Sequence, residues 1–129
     1  MLRKEYYAPA DARSTARRAY SKAVITEGGK TIWLAGQTAQ EPGDFEAQVR
    51  EIFEKLGETI RAAGGTGLHD MVTMTVFIKD VRLGDRFVEL RREIFNGEKF
   101  PASALITVSA FARPETLVEV QGVAVVAAS

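Results

Sequence analysis

Apolar residues recur along this chain with two different periods, and the switches between them divide it into elements. Runs rich in Val, Ile and Thr over residues 21–26 and 30–36 read as strands, and Glu27-Gly28-Gly29 between them supplies glycines for the positive φ angles of a tight turn, so a β-hairpin is predicted. Asp44 then precedes Phe45, Val49, Ile52, Phe53, Leu56, Ile60 and Ala63, whose steps of three and four put them on one face of a helix capped by the aspartate. Gly64-Gly65-Thr66-Gly67 ends that helix. A glycine loop that follows a helix and lacks a Gly-Lys-Ser/Thr ending is a stop signal and not a phosphate cradle. Residues 71–79 alternate as a strand with one apolar and one mixed face, and a second helix carries Phe87, Leu90, Ile94 and Phe95 on one stripe up to Gly97. Residues 103–109 and 116–127 complete the pattern as two strands about a turn at Pro114.

The predicted order is β-β-α-β-α-β-β in one domain over residues 1–129, an α+β sandwich with two helices on one face of a mixed sheet. Residues 1–19 are expected to form an irregular arm, with Arg17 and Arg18 in solvent. In the last strand Val118, Val120, Ala124 and Val126 point one way, towards the helices. Leu117, Val123 and Val125 point the other way, beside Glu119 and Gln121. Two helices cannot cover both faces, so the open face is expected to be buried by self-association.

Composition narrows the partners. Seventeen basic and seventeen acidic residues balance to zero, which leaves no strong field to gather nucleic acid or an anionic membrane. With no cysteine and one histidine, His69, disulfides are excluded and a metal site lacks its usual ligands. His69 is expected at the surface or paired with an aspartate, and Trp33 in the core or an interface. Neither an N-terminal apolar stretch of signal-peptide length nor a run of about 20 apolar residues is present, so a cytoplasmic protein is expected, with no membrane partner.

One motif carries chemistry. Phe100-Pro101-Ala102-Ser103-Ala104-Leu105 is followed, sixteen residues after Ser103, by Glu119 in Leu117-Val118-Glu119-Val120-Gln121. Together with Tyr20-Ser21, Trp33-Leu34-Ala35-Gly36-Gln37, Gln48 and Val76-Phe77-Ile78-Lys79-Asp80, this resembles the Rid family, the reactive intermediate deaminases also called YjgF-like proteins. The resemblance implies a chorismate-mutase-like sandwich and a homotrimer whose small-molecule sites lie in clefts between subunits. It also implies hydrolysis of imines and enamines to a keto acid and ammonia, with no cofactor. Such chemistry needs a carboxylate to direct water, polar groups around the departing nitrogen and a cation for a substrate carboxylate. The family's acidic residue maps to Glu119 and its strand-opening aromatic to Tyr20. Its arginine maps to Ser103, its helix-borne asparagine to Glu89, its cysteine to Leu105 and its serine before Gly-Gln to Ala35.

With serine for arginine and a second carboxylate at Glu89, the resemblance implies a site that repels an anion, and therefore a C–N substrate outside the usual small 2-imino acids. Each candidate has a second reading. Glu119 is either the catalytic carboxylate or an outward strand charge, Glu89 a site residue or half of an exposed pair with Arg92, and Ser103 a cleft residue or a small packing residue. Arg113, in the turn before Pro114, either reaches the cleft to replace the missing cation or faces water. Three functions follow: a cofactor-free deaminase-like hydrolase, a trimer that binds a metabolite without turnover, and a ribonuclease, which the neutral charge and lone histidine oppose.

Overall fold

The computed structural model describes residues 1–7, 9 and 17–128. The elements are β1 (Arg3–Tyr7), β2 (Ala23–Glu27), β3 (Lys30–Trp33), α1 (Phe45–Ala62), β4 (Met71–Ile78), α2 (Gly84–Ile94), β5 (Ala102–Thr107) and β6 (Val118–Val126), with short 3-10 turns at Leu68–Asp70 and Val81–Leu83. Four strands form a mixed sheet in the order β3-β6-β4-β5, in which only the β4–β5 pair is parallel. β1 and β2 form a separate antiparallel ribbon.

Two expectations about the N-terminal third are corrected. Residues 1–19 are not uniformly irregular, because Arg3–Tyr7 form β1; residues 8 and 10–16 lie outside the described residues. The strands over 21–26 and 30–36 do not pair as a hairpin. β2 pairs with β1, and β3 pairs with β6. Ser21, just before β2, bridges to Ala102 at the start of β5, while Lys30 pairs with Val126 at the far edge of the sheet, so β2 carries the chain from one edge to the other. Gly28 and Gly29 do adopt positive φ, 75° and 82°, but their turn redirects the chain between sheets.

The helices follow their sequence signals. The Asp44 carboxylate accepts from the Ala47 N–H at 2.9 Å at the start of α1. Past its end the Gly65 N–H donates to the Ile60 carbonyl, and the Thr66 and Gly67 amides donate to the Asp70 carboxylate. The glycine loop is therefore committed to the protein's own oxygens. Both helices pack on one face of the sheet: Val49, Ile52, Phe53, Leu56, Ile60, Phe87 and Leu90 meet Met74, Val76, Ile78, Val118, Val120 and Ala124, all at 2% exposure or less. Phe53 joins the layers, with ring centroids 6.0 Å from Phe87 and 5.8 Å from Phe95.

The opposite face is open. Trp33, Val123 and Thr73 align across it, as do Gln121, Thr75 and Ala104, and Glu119, Phe77 and Ile106. Trp33 is 79% exposed there, which removes it from the core. Val125, expected on this face in the open, is buried, because it and Leu2 both pack on Gly29 of the ribbon turn. A bulge interrupts the β4–β6 register between Met71 and Thr73, opposite Val123 and Ala124, and Gly122, which pairs with Met74 just beyond it, is a position where a β-carbon would lie 2.3 Å from the Thr73 carbonyl oxygen.

Buried Gln48 explains one landmark of the sequence. Its amide donates to the Gly43 and Glu115 carbonyls at 3.0 Å and its oxygen accepts from the Leu117 N–H at 2.9 Å, so it ties the start of α1 to the loop that enters β6. We expect Gln48→Ala to leave these three backbone groups unpaired and to cost about 2–3 kcal/mol. Urea denaturation checks this as a lower midpoint at unchanged slope.

Candidate functional site

Tyr20 and Ser103 come together at the β5 edge. The Ser21 hydroxyl donates to the Phe100 carbonyl at 2.6 Å and the Ser21 N–H to the Pro101 carbonyl at 3.0 Å, so two separate landmarks of the sequence hold each other. Ala19, fully buried with φ of 60°, turns the chain just before Tyr20. A non-glycine residue in this region carries a conformational cost and persists only where its surroundings impose it. The result is a cavity of about 200 Å³ lined by Arg18, Tyr20, Val88, Arg91, Ser103 and Leu105.

Arg91 dominates its electrostatics. The side chain leaves α2 on the inward face and is only 2% exposed. Its Nη1 donates to the Ser103 Oγ at 2.6 Å and its Nη2 to the Arg18 carbonyl at 3.1 Å, with the guanidinium carbon 5.1 Å from the centroid of the Phe87 ring. Its Nε is buried with no partner. No carboxylate among the described residues pairs with it. Burial, helped by the charge of Arg18 and opposed by Tyr20, pulls its pKa down to about 10, so it is still a cation at neutral pH. Arg18, the second cation on the wall, is paired with Asp85 and is not the solvated residue expected of it.

The position that resembles the family's arginine thus holds a serine whose hydroxyl accepts a hydrogen bond from an arginine on a different element. The sequence reading missed Arg91. The signal was present: it lies four residues after Phe87 and three before Ile94, within the apolar stripe, where an arginine must point inward.

The other candidates lie elsewhere. Glu89 is on the opposite side of α2 in an exposed pair with Arg86 at 3.2 Å, not with Arg92, and it does not line the cavity. Arg113 is exposed in the turn before β6, beside a separate hollow lined by Gln40, Gln48 and Glu115, and does not approach Ser103. Within one chain the described wall of the cavity carries two arginines, one of them paired with Asp85, and no carboxylate, and Glu89 lies outside it.

Glu119 is on the other face of the sheet. Ser103 pairs with Met74, on the helix side, whereas Glu119 pairs with Phe77, on the open side, so one chain cannot bring the two together. The half-buried Glu119 carboxylate has no hydrogen-bond or ion-pair partner among the described residues. It rests on Gly36, where a β-carbon would lie 2.2 Å from its Oε2, with Ala35 exposed alongside. The small residues of Ala35-Gly36 are the seat of this carboxylate. His69 is neither at the surface nor paired with an aspartate: it is half-buried, its Nε2 donates to the Phe95 carbonyl at 2.9 Å and its ring meets Phe95 edge-on. A groove of about 250 Å³ against the outer side of α1 is lined by Arg50, Phe53, Glu54, Gly57, Arg61, Leu68 and Ile94, but Arg50 is spent on Glu46 and Glu93.

Known proteins share this fold. The family described as Endoribonuclease L-PSP matches residues 10–126. The chain belongs to this family, also called the YjgF or Rid family. It is 36% identical over 115 residues to Protein DfrA of Myxococcus xanthus, covering 82% of this chain and 84% of that one. It is 28% identical over 114 residues to the 2-iminobutanoate/2-iminopropanoate deaminase of Rattus norvegicus, covering 83% and 80%. The crystal structure of the Rid-family protein YyfB from Yersinia pestis superposes with a TM-score of 0.86 at 24% identity, over 95% of this chain and 98% of that one. The fold is accordingly the chorismate-mutase-like α+β sandwich. Among the described residues no helix is long and apolar enough to cross a membrane.

The Gly36 contact is testable. Its φ is not in the left-handed region, so Gly36→Ala meets only the far end of the Glu119 side chain. Thermal unfolding should show a stability change below about 1 kcal/mol. Any activity that depends on Glu119 should fall as far as it does in Glu119→Gln.

Proposed function

We propose that this protein is a cofactor-free hydrolase of imines or enamines, acting in a cleft completed by a neighbouring copy of the chain. The observation that carries the reading is the Glu119 carboxylate, half-buried without a partner among the described residues, at the family's acidic position and seated on Gly36. A carboxylate with no competing donor is free to take a proton from water. As water adds to the imine carbon, one of its protons passes to Glu119, a C–O bond forms, and the C=N electron pair moves to nitrogen, which takes that proton back from Glu119. Collapse of this adduct breaks the C–N bond and releases ammonia and a carbonyl compound. The rat relative named as a 2-iminobutanoate/2-iminopropanoate deaminase gives the reaction class its support.

The same geometry argues for the assembly. Glu119 meets a Tyr20–Ser103 cavity only if the open face of one copy lies against the β5 edge of the next. That contact joins two different surfaces, so it must propagate head to tail and close as a ring, and three copies is the family's closure. The ribonuclease activity in the family's name is not adopted, because His69 is committed to Phe95 and the net charge is zero. A second reading, a trimer that holds a metabolite without turnover, is favoured by one observation: the Ser103 hydroxyl is already engaged by Arg91. The site is read as acting in the cytoplasm.

A coupled assay that generates imines with an amino-acid dehydratase or oxidase separates the readings by release of ammonia. Glu119→Gln should lower turnover by about 10²–10⁴-fold. Wild-type rates in that variant overturn the catalytic assignment, and ligand binding with no turnover of any imine favours the binding protein. Sedimentation at micromolar concentration should show a trimer, and Val123→Lys, which buries a lysine in the interface, should yield monomers. A monomeric wild type overturns the assembly.

A further inference from the structure

We infer that the groove against the outer side of α1 is a binding site for an apolar α-amino acid, held by its ammonium at Glu54 and its carboxylate at Arg61 with its side chain on the apolar floor. The site is distinct from the cleft proposed above and needs neither turnover nor assembly. Gly57 keeps it open. This residue stands in the interior of an 18-residue helix, where glycine is a poorer choice than alanine because it leaves more backbone freedom to be lost on folding. Its φ is not positive, so no turn or strained conformation calls for glycine there. A β-carbon at this position would stand 3.4 Å from the Arg61 Nη1 and 3.6 Å from the Leu68 Cγ, in the space between them. The absent side chain is what gives a ligand access to the floor.

The charges on the wall select the ligand. Arg50 is neutralised by Glu46 and Glu93, which leaves Glu54 and Arg61. Both are exposed, and neither makes an ion pair with another described residue. Their spacing of seven residues puts them on one side of α1, about two turns apart. The Arg61 guanidinium folds back along the helix, its Nη1 3.4 Å from where a β-carbon of Gly57 or of Gly67 would lie, so the free cation hangs over the glycine floor. Phe53, Leu68 and Ile94 supply the apolar surface. One anion, one cation and an apolar floor are complementary to a zwitterion with an apolar side chain. A simple carboxylate would meet Arg61 but leave Glu54 unanswered, and a simple amine would do the reverse. A volume of about 250 Å³ corresponds to roughly eight waters, which suits an amino acid the size of leucine.

Calorimetric titration of the full-length protein with L-leucine tests this, with 4-methylpentanoate, which lacks the ammonium, and 3-methylbutylamine, which lacks the carboxylate, as controls. We expect saturable binding of leucine at millimolar concentration and binding of each control weaker by about 3- to 30-fold, since each forfeits one charge-assisted contact at a partly exposed site. Arg61→Met and Glu54→Gln should each weaken leucine binding by a similar factor. Arg61→Met should leave the already weak binding of 3-methylbutylamine unchanged, and Glu54→Gln that of 4-methylpentanoate. Gly57→Ala should lower leucine affinity by roughly tenfold while raising the unfolding temperature, because the added methyl group enters the groove as the helix loses its glycine. That opposite movement of affinity and stability separates a filled site from a misfolded variant. Leucine binding that is indifferent to Gly57, Glu54 and Arg61 belongs to another part of the molecule and overturns the inference. Absence of saturable leucine binding overturns it as well, as does either control binding as tightly as leucine.

Discussion

Three parts of the chain that are distant in sequence meet at one guanidinium. Arg91 ties α2 to β5 through Ser103 and to the segment before β2 through the Arg18 carbonyl, and the ring of Phe87 supports it from below. The Ser21 hydrogen bonds to Phe100 and Pro101 reinforce the same junction. The position of Tyr20, the left-handed turn at Ala19 and the shape of the cavity all depend on this closure. A buried charge is a poor source of stability, since a packed apolar residue of similar volume commonly does as well.

The half-sites are distributed by the parity of the sheet. β4 lies between β6 and β5, and its alternation sends Met74, Val76 and Ile78 to the helices and Thr73, Thr75 and Phe77 to the open face. Ser103 inherits the first orientation and Glu119 the second. The Ser103 hydroxyl and the Glu119 carboxylate, on opposite faces, cannot meet within one subunit. Catalysis and assembly are thereby coupled in the proposed reading.

Much of the fold was legible in the sequence because burial imposes periodicity. The steps of three and four from Phe45 to Ile60, the Asp44 cap and the alternation from Met71 to Ile78 are direct records of one-sided burial. β1 was not legible, since Arg3–Tyr7 is charged and aromatic with no apolar face of its own and gains its order by pairing with β2. The false hairpin has the same origin: turn chemistry shows that the chain bends, but not which strand will be its neighbour. At the β5 edge, the landmark motifs name Tyr20 and Ser103, which the fold brings to the wall of one cavity. Glu89 lies off that wall because it comes two residues after Phe87, about 200° around the helix from the buried face. Arg91 was hidden for the converse reason, as a polar residue in a stripe read for its hydrophobes.

Gly122 has a consequence for how the chain finds this arrangement. Slipping β6 by one residue against β4 would exchange Glu119 with Val120, driving the carboxylate beneath the helices and a valine to the open face. The same slip would place a neighbour of Gly122, Gln121 or Val123, against the Thr73 carbonyl, where there is no room for a β-carbon. The missing side chain at residue 122 therefore acts as an alignment mark: it discriminates against the misregistered sheet by steric exclusion, before any favourable contact of the site has formed.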